Sequence, residues 1–549
     1  MDQELSNIPV LLRKLNSVGI ALSAEKDHGR LLEIILMHAK DMTRADGGTL
    51  YLRTEEDTLR FEIVRTDSLG IHMGGTQGEP ISFYPVNLVD DDGKPNTHNV
   101  AACAVLKNET INIPDAYSNE EFDFAGTRNF DEKTGYRSQS FLTVPMTNHE
   151  ANIIGVLQLI NATDPDTGEI RAFSALDQQI VESLASQAAV TMTNRQLIEA
   201  QKKLFDSFIE LIASAIDEKS PYTAGHCRRV PVLTNMIAEA TCNINHGPHK
   251  DFSMTDADQY ELNVAGWLHD CGKITVPEAV VDKGTKLETI VDRIDMIDTR
   301  FEVLKRDAEI AALKRKIESM GDDAAPDAQL ISELKQLDDD KTFLQMCNVG
   351  GEAMADDLQQ RVAEIAQYKW KDADGNENNF LTDDEVYNLN IFRGTLTEEE
   401  REIINNHIVA TIRMLKSLPY PKHLLNVTEY AGGHHEKMDG TGYPNGLKRD
   451  EMSVQARMMG IADIFEALTA GDRPYKKAMP MSVALTILGK LKLENHIDPD
   501  LFDVFMWEKV YQRYADEFLG PDQCDDFDLN DIPGYVSPPN EVTVKSAGE

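Results

Sequence analysis

The chain has 549 residues, 41% hydrophobic and 27% charged, and a formal net charge of −39 at pH 7. That length predicts two to four domains of ordinary globular composition, and the acidity argues against a nucleic-acid polymer as partner. No apolar run reaches the roughly 20 residues that cross a bilayer, the opening Met1-Asp-Gln-Glu-Leu5 lacks the pattern of a secretory leader, and six cysteines lie scattered without CxxC pairing. Neither a disulfide frame nor a thiolate zinc site is therefore predicted, no membrane association is expected, and the expected location is cytoplasmic.

Residues 10–175 mix helical and strand patterns. An amphipathic stretch, Leu31-Leu32-Glu33-Ile34-Ile35-Leu36-Met37, precedes Ala45–Leu52, whose glycines and apolar run suit a turn into a strand. Ser140–Pro145 and Asn152–Ile160 read as two further strands joined by a polar turn at Thr147-Asn148-His149. The pattern predicts an α/β domain of sensor size.

Residues 176–217 contain no Pro or Gly, and Val190, Leu197, Leu204 and Leu211 recur every seven residues. That stripe predicts a helical connector that pairs two copies of the chain as a coiled coil. The alternative is one amphipathic helix packed on its own domain. Residues 218–520 read as mostly helical. Within them 289–392 form an insertion whose apolar spacing (Ile290, Ile294, Ile297, Phe301, Leu304, then Leu330, Leu334, Leu337, Leu344 after a breaker at 321–326) predicts an antiparallel helical hairpin. It is a candidate partner surface. The acidic, proline-bearing segment 525–549 is expected to be disordered.

Two runs carry the chemistry: His269-Asp270-Cys271-Gly272-Lys273, and His434-His435-Glu436 leading into Asp439–Pro444. Adjacent His-Asp and His-His pairs supply the nitrogen and oxygen donors that hold divalent metals. A carboxylate between two such clusters can bridge two ions, and a two-metal site offers a bridging hydroxide and a clamp on phosphoryl oxygens. Metal-dependent phosphohydrolase chemistry is the reading. Of fourteen histidines, five make sense together: His226, His269, His407, His434 and His435. His246, His249, His423 and His496 are read as ordinary surface or core residues.

The segments Tyr222–Val230, Leu268–Ile274, Gly394–His407, His434–Pro444, Ala462–Thr469 and Asp472–Lys476 resemble the HD-GYP family, a branch of the HD metal-dependent phosphohydrolases that hydrolyses cyclic di-GMP. The resemblance implies an all-α catalytic domain holding two divalent ions, iron or manganese. His226, His269, Asp270 and Asp463 would hold one, and Asp270, bridging, with His407, His434 and His435 the other. A hydroxide between them would attack phosphorus, giving linear pGpG or GMP. Asp270 and Lys273 are thus the candidate catalytic residues. Lys273, Tyr443, Arg473 and Lys476 would bind substrate, Lys273 as a point charge beside a phosphate oxygen. Some members bind a third metal through a Glu where this chain has Tyr222, so two ions are expected. Asp372-Ala-Asp-Gly-Asn376 matches a calcium loop poorly, since Glu377 and Asp383 stand where Gly and Glu belong.

Residues 10–195 resemble a GAF domain of the kind in cyclic-nucleotide phosphodiesterases, through Ile111–Tyr117, Asp131–Arg137, Leu142–Pro145 and Gly155–Asn161. The resemblance implies an antiparallel sheet with flanking helices and a cyclic nucleotide as candidate ligand, although its binding residues are unknown. Asn161, Phe173 and Asp177 match the nucleotide-binding signature. Ala162 and Gln178 replace its Lys and Glu, so the Lys–Asp ion pair of that signature is missing. The resulting expectation is a homodimeric phosphodiesterase for cyclic di-GMP, regulated by its GAF domain. The alternatives are a non-catalytic adaptor that responds to cyclic dinucleotides and a cAMP/cGMP phosphodiesterase.

Overall fold

The computed structural model describes residues 13–539, apart from 15, 23, 26, 91, 92, 220–224, 319–327, 352 and 472–477. The chain forms two compact units, 1–204 and 205–549. Among the described residues no helix is long and apolar enough to cross a membrane.

The first unit is built on an antiparallel sheet. Its strands are β1 (Ala45–Arg53), β2 (Thr58–Thr66), β3 (Ile71–Gly74), β4 (Val86–Asn87), β5 (Ile111–Ile113), β6 (Phe141–Thr147), β7 (Ile153–Thr163) and β8 (Ile170–Arg171). The main order is β3-β2-β1-β7-β6-β5, with β4 on β2 and β8 on β7. Helices α1 (His28–Thr43), α2 (Val100–Lys107), α3 (Ala125–Thr134) and the start of the 45-residue α4 (Ala175–Lys219) flank it. Period-two alternation assigns the two faces of the central strand β7. Leu157 and Leu159 pack with Leu32, Leu36, Leu184 and Ala188, whereas Val156 packs with Tyr51, Leu59 and Ala102. This is the antiparallel α/β layout expected from the sequence.

The ion pair thought missing from this unit is replaced. Asp177 is buried and receives Arg171 Nη1 at 2.6 Å, together with the Ser174 N–H and hydroxyl at 2.8 Å. Asp177 thus has a cationic partner six residues upstream, where the signature would use a lysine. Asn161, fully buried, accepts from the Gln139 and Ser140 amides and donates to the Arg137 carbonyl.

The second unit begins within α4, whose Ile209, Ala213 and Ile216 enter its core. It continues with α5 (His226–Asn243), α6 (Asp256–Leu268), a 3₁₀ turn (Cys271–Thr275) and the short α7 (Glu278–Val281). After the inserted segment come α12 (Glu398–Asn405), α13 (His407–Lys416), α14 (Val427–Gly432), α15 (Val454–Thr469), α16 (Met481–Leu493), α17 (Pro499–Trp507) and α18 (Val510–Phe518). Phe465, Phe502, Phe505 and Tyr514 are the largest fully buried side chains of this core.

The insertion contains the expected hairpin, α8 (Ile294–Glu318) and α9 (Ala328–Asn348), but it is more than a hairpin. It adds α10 (Asp356–Ile365), a two-stranded β9–β10 ribbon (Lys369–Lys371, Glu377–Asn379) and α11 (Asp383–Leu389). Ile297, Phe301, Phe343, Leu344, Val362 and Phe380 give it a core of its own. The Arg300–Glu385 pair, at 2.8 and 3.0 Å, joins α8 to α11 inside it. Asp372 accepts from the Asp374 and Asn376 amides of its own ribbon turn. The breaker at 321–326 lies among residues not described.

Residues 525–539 correct the expectation of disorder. Trp507 Nε1 donates to the Val536 carbonyl and Lys492 Nζ to that of Gly534, both at 2.7 Å, and Ile532 is buried in the core. Apart from a 3₁₀ turn at Leu529–Asp531 the stretch has no helix or strand, and it packs through its carbonyls and Ile532. Residues 540–549 fall outside the described set.

Candidate metal centre

His269, His407 and His434 sit just past helix ends, and the reason is local. The last carbonyls of a helix have no partner within it, so a histidine just past them finds an acceptor three residues back. His269 Nδ1 donates to the Gly266 carbonyl at 2.6 Å, His407 Nδ1 to Ile404 at 2.5 Å and His434 Nδ1 to Ala431 at 2.7 Å. With Nδ1 as donor, Nε2 of each ring carries the free lone pair, as a metal ligand requires.

The Nε2 atoms converge. His226 Nε2 lies 3.2 Å from His269 Nε2, 3.2 Å from Asp270 Oδ2 and 3.4 Å from Asp463 Oδ1. His269 Nε2 is 3.3 Å from Asp270 Oδ2. The other Asp270 oxygen, Oδ1, lies 3.2 Å from His407 Nε2, which is itself 3.2 Å from His435 Nε2. His407, His434 and His435 form one compact donor group and His226, His269 and Asp270 another. Asp270 therefore turns one oxygen to each. Metal–ligand bonds of about 2.1 Å place neighbouring donors about 3.0–3.4 Å apart, and these spacings match.

Two atoms test whether a metal fits. His434 Nε2 and Asp270 Oδ1 are buried polar atoms without a hydrogen-bond partner, an arrangement that costs free energy unless something binds there. Both aim into the centre. Burial, then His435 and His269, hold the His434 imidazole well below its usual pKa, and burial pushes His435 down to about 4. Neutral imidazoles are the ligand form. Burial pushes the Asp270 carboxyl up, but Lys273, His269 and His226 outweigh it and hold it well below the usual range. Burial also opposes ionisation of Asp463, and His226, His434 and His435 prevail in the same direction.

Glycine allows the two groups to meet. The 3₁₀ turn carrying Gly272 lies directly on α13, with the Gly272 N–H donated to Thr411 Oγ1 at 2.9 Å. A Cβ at Gly272 would stand 2.0 Å from the His407 carbonyl oxygen and 2.5 Å from the Thr411 nitrogen. No larger residue permits this backbone approach.

Lys273 stands within the centre. Its Nζ lies 2.5 Å from Asp270 Oδ2, so the ammonium pairs with that carboxylate. Tyr443 stacks on His435, ring centroids 4.8 Å apart and planes 23° from parallel. Glu436 folds the loop that carries Tyr443, accepting from the Asn445 amide at 2.8 Å and the Leu447 amide at 2.9 Å. Arg473, Lys476 and Tyr222 lie outside the described residues.

Sequence reasoning missed Glu466 and Arg229. Glu466, almost fully buried, accepts from His226 Nδ1 at 2.5 Å on Oε2 and from Arg229 Nε at 2.7 Å on Oε1. It thereby orients His226, which has no helix-end carbonyl of its own. The available signal was spacing: Glu466 stands three residues after Asp463 on α15, hence on the same face.

Residues 27–192 match the family described as GAF domain and residues 383–501 the family described as HD domain. The HD match includes His407, His434, His435 and Asp463 and stops short of His226, His269 and Asp270. The chain is 26% identical over 388 residues to a 3'3'-cGAMP-specific phosphodiesterase of Vibrio cholerae, covering 67% of this chain and 57% of that protein. It is 36% identical over 140 residues to a probable cyclic di-GMP phosphodiesterase of the same organism (24% and 31%). It is also 36% identical over 129 residues to a cyclic di-GMP phosphodiesterase of Thermotoga maritima (23% and 34%). The chain spans between about a third and somewhat over half of the length of these relatives. It carries a GAF domain followed by an HD domain.

Proposed function

We propose that this chain is a metal-dependent phosphodiesterase that hydrolyses cyclic di-GMP, with linear pGpG or GMP as product. The carrying observation is the Asp270 carboxylate, one oxygen facing His226 and His269 and the other facing His407. The names of the three relatives described above, each a cyclic dinucleotide phosphodiesterase, support the substrate class. Two divalent ions, iron or manganese, would supply Lewis-acid polarisation of the phosphoryl oxygens and an activated water. His226, His269, Asp270 and Asp463 would hold one, and Asp270, His407, His434 and His435 the other.

The protein's own residues do the rest. The carbonyls of Gly266, Ile404 and Ala431, with Glu466, hold the imidazole protons on Nδ1. Lys273 offsets negative charge at Asp270 and would bind a substrate phosphate as a point charge from that position, and Tyr443 covers His435. Arg473 and Lys476 would clamp a second phosphate. The apolar positions Leu197, Leu204, Phe208 and Leu211, more than half exposed on α4, support a homodimer through this helix. A cyclic nucleotide at the GAF domain would regulate that pair, and the insertion would offer a partner surface.

The test is an ion count and product analysis on the purified protein, wild type and Asp270→Ala, with cyclic di-GMP, 3'3'-cGAMP, cAMP and cGMP. Wild type should bind two ions and cleave a cyclic dinucleotide, and Asp270→Ala should lose at least one ion and turnover. Full activity in the variant overturns the assignment. Bound ions and ligand without turnover favour an adaptor, and cleavage of cAMP or cGMP alone favours the mononucleotide reading.

A further inference from the structure

The last turn of α4 grips both segments that bring the first metal group together. Lys219 Nζ donates to three backbone carbonyls of the 3₁₀ turn that follows Asp270: Lys273 at 3.2 Å, Ile274 at 2.8 Å and Val276 at 2.5 Å. An ammonium has three donors, and all three are used. The acceptors are carbonyls at the end of a helical turn, where cations are favoured.

Two residues earlier, Asp217 serves the neighbouring segment. Its Oδ2 accepts from the Gly225 amide at 3.0 Å and its Oδ1 from the Cys227 amide at 3.4 Å. These amides flank His226 at the start of α5, where no side chain of the helix's own N-cap residue, Gly225, can serve. The first amides of a helix lack internal partners and attract negative charge. One turn of one helix therefore supplies an anion to the segment carrying His226 and a cation to the turn after His269-Asp270.

The distances across the gap are those of the site. His226 Nε2 lies 3.2 Å from both His269 Nε2 and Asp270 Oδ2. The two segments otherwise meet through α5–α6 packing, which is so close that a Cβ at Gly266 would stand 3.0 Å from Pro231 Cα.

We propose that Asp217 and Lys219 are positioning residues that set the spacing between His226 and the His269–Asp270 pair, so that α4 controls metal occupancy of this group. The inference rests on the metal-centre reading and deepens it into a regulatory one. Rotation or withdrawal of the end of α4 pulls on both segments together. Because α4 is a single helix from Ala175 to Lys219, its state reaches the ligands through two side chains and five backbone hydrogen bonds.

The experiment titrates the metal-free full chain with Mn²⁺ in competition with a chelator. The proteins are wild type, Lys219→Ala, Lys219→Arg, Asp217→Ala and, as a control at an exposed position of the same helix, Glu210→Ala. Lys219→Ala and Asp217→Ala should bind the ion on the order of 10-fold more weakly, the loss typical when a group that orients metal ligands is removed. Arginine at 219, still a donor to carbonyls, should recover most of the affinity, and the control should match wild type. In turnover of cyclic di-GMP the same variants should lose kcat with little change in KM. If Lys219→Ala does not fold, Lys219→Met keeps the stem, removes only the donors and should show the same loss. Alanine variants that unfold at lower temperature yet bind Mn²⁺ as wild type does overturn the inference and leave the metal centre standing. A wild type that takes up no ion overturns both.

Discussion

Replacing Glu466 with glutamine changes no volume and should still disable one metal group. In the native protein both carboxylate oxygens accept, one from His226 Nδ1 at 2.5 Å and the other from Arg229 Nε at 2.7 Å. Glutamine offers one oxygen and one amino group. Arginine has no acceptor atom, so the amide oxygen must face Arg229 and the amino group must face His226. Nδ1 then becomes the acceptor, and the imidazole proton moves to Nε2. That atom lies 3.2 Å from Asp270 Oδ2 and 3.4 Å from Asp463 Oδ1, and once protonated it cannot bind a cation. Affinity for the first ion should fall on the order of 10–100-fold, or about 1.4–2.8 kcal/mol. Alanine at 466 leaves Arg229 and His226 facing a void, and the broken buried pair should cost about 3–5 kcal/mol of stability. Chelator-competition titration with Mn²⁺, run beside thermal unfolding, separates the two effects. A Glu466→Gln protein with native metal affinity would refute the proton assignment and with it the role given to Glu466.

Gly272→Ala should force the His269–Asp270 turn away from α13, since the added Cβ has 2.0 Å to the His407 carbonyl oxygen. Thermal unfolding should show a loss of about 1–3 kcal/mol or more, and ion counting should show the bridged pair reduced, so that two retained ions would contradict the geometry. Within the insertion, burial opposes ionisation of Glu385, but Arg300 and the Thr382 amide prevail and hold it below its ordinary value of 4.5. Its contribution is therefore complete above that value and disappears as pH falls through the lower folded pKa. Glu385→Ala should cost about 3–5 kcal/mol at neutral pH, seen as faster amide exchange confined to 294–389, and equal exchange in the two proteins at neutral pH would sink this claim. Aspartate at both Leu204 and Leu211, exposed apolar positions of α4, should convert a dimer to monomer in sedimentation, whereas an unchanged mass would place any dimer contact elsewhere.

What could be foreseen and what could not divides along physical lines. The two runs at 269–273 and 434–436 were legible because the donors adjoin in sequence, and an adjacent His-Asp or His-His pair carries its meaning locally. The long helix and the strands were legible because periods of 3.6 and 2 are local as well. Glu466 was hidden because a carboxylate that orients a histidine 240 positions away has no sequence period linking the two. Arg171 was hidden likewise: the signature asks for a lysine next to Asn161, and the charge arrives from β8. The packed stretch 525–539 was misjudged because composition reports on regular structure and says nothing of Trp507 and Lys492 waiting to bind carbonyls.

The sequence alone determined the ligand types, the bundle-like character of the second unit and the sheet of the first, since each follows from residue chemistry or short-range periodicity. Only the tertiary structure decided that Asp270 faces both donor groups, that Lys273 pairs with it, and that the end of α4 holds two of the ligand-bearing segments. Those are through-space distances of 2.5–3.4 Å between segments up to about 240 residues apart. Chain connectivity does not encode such distances until close packing brings the segments together.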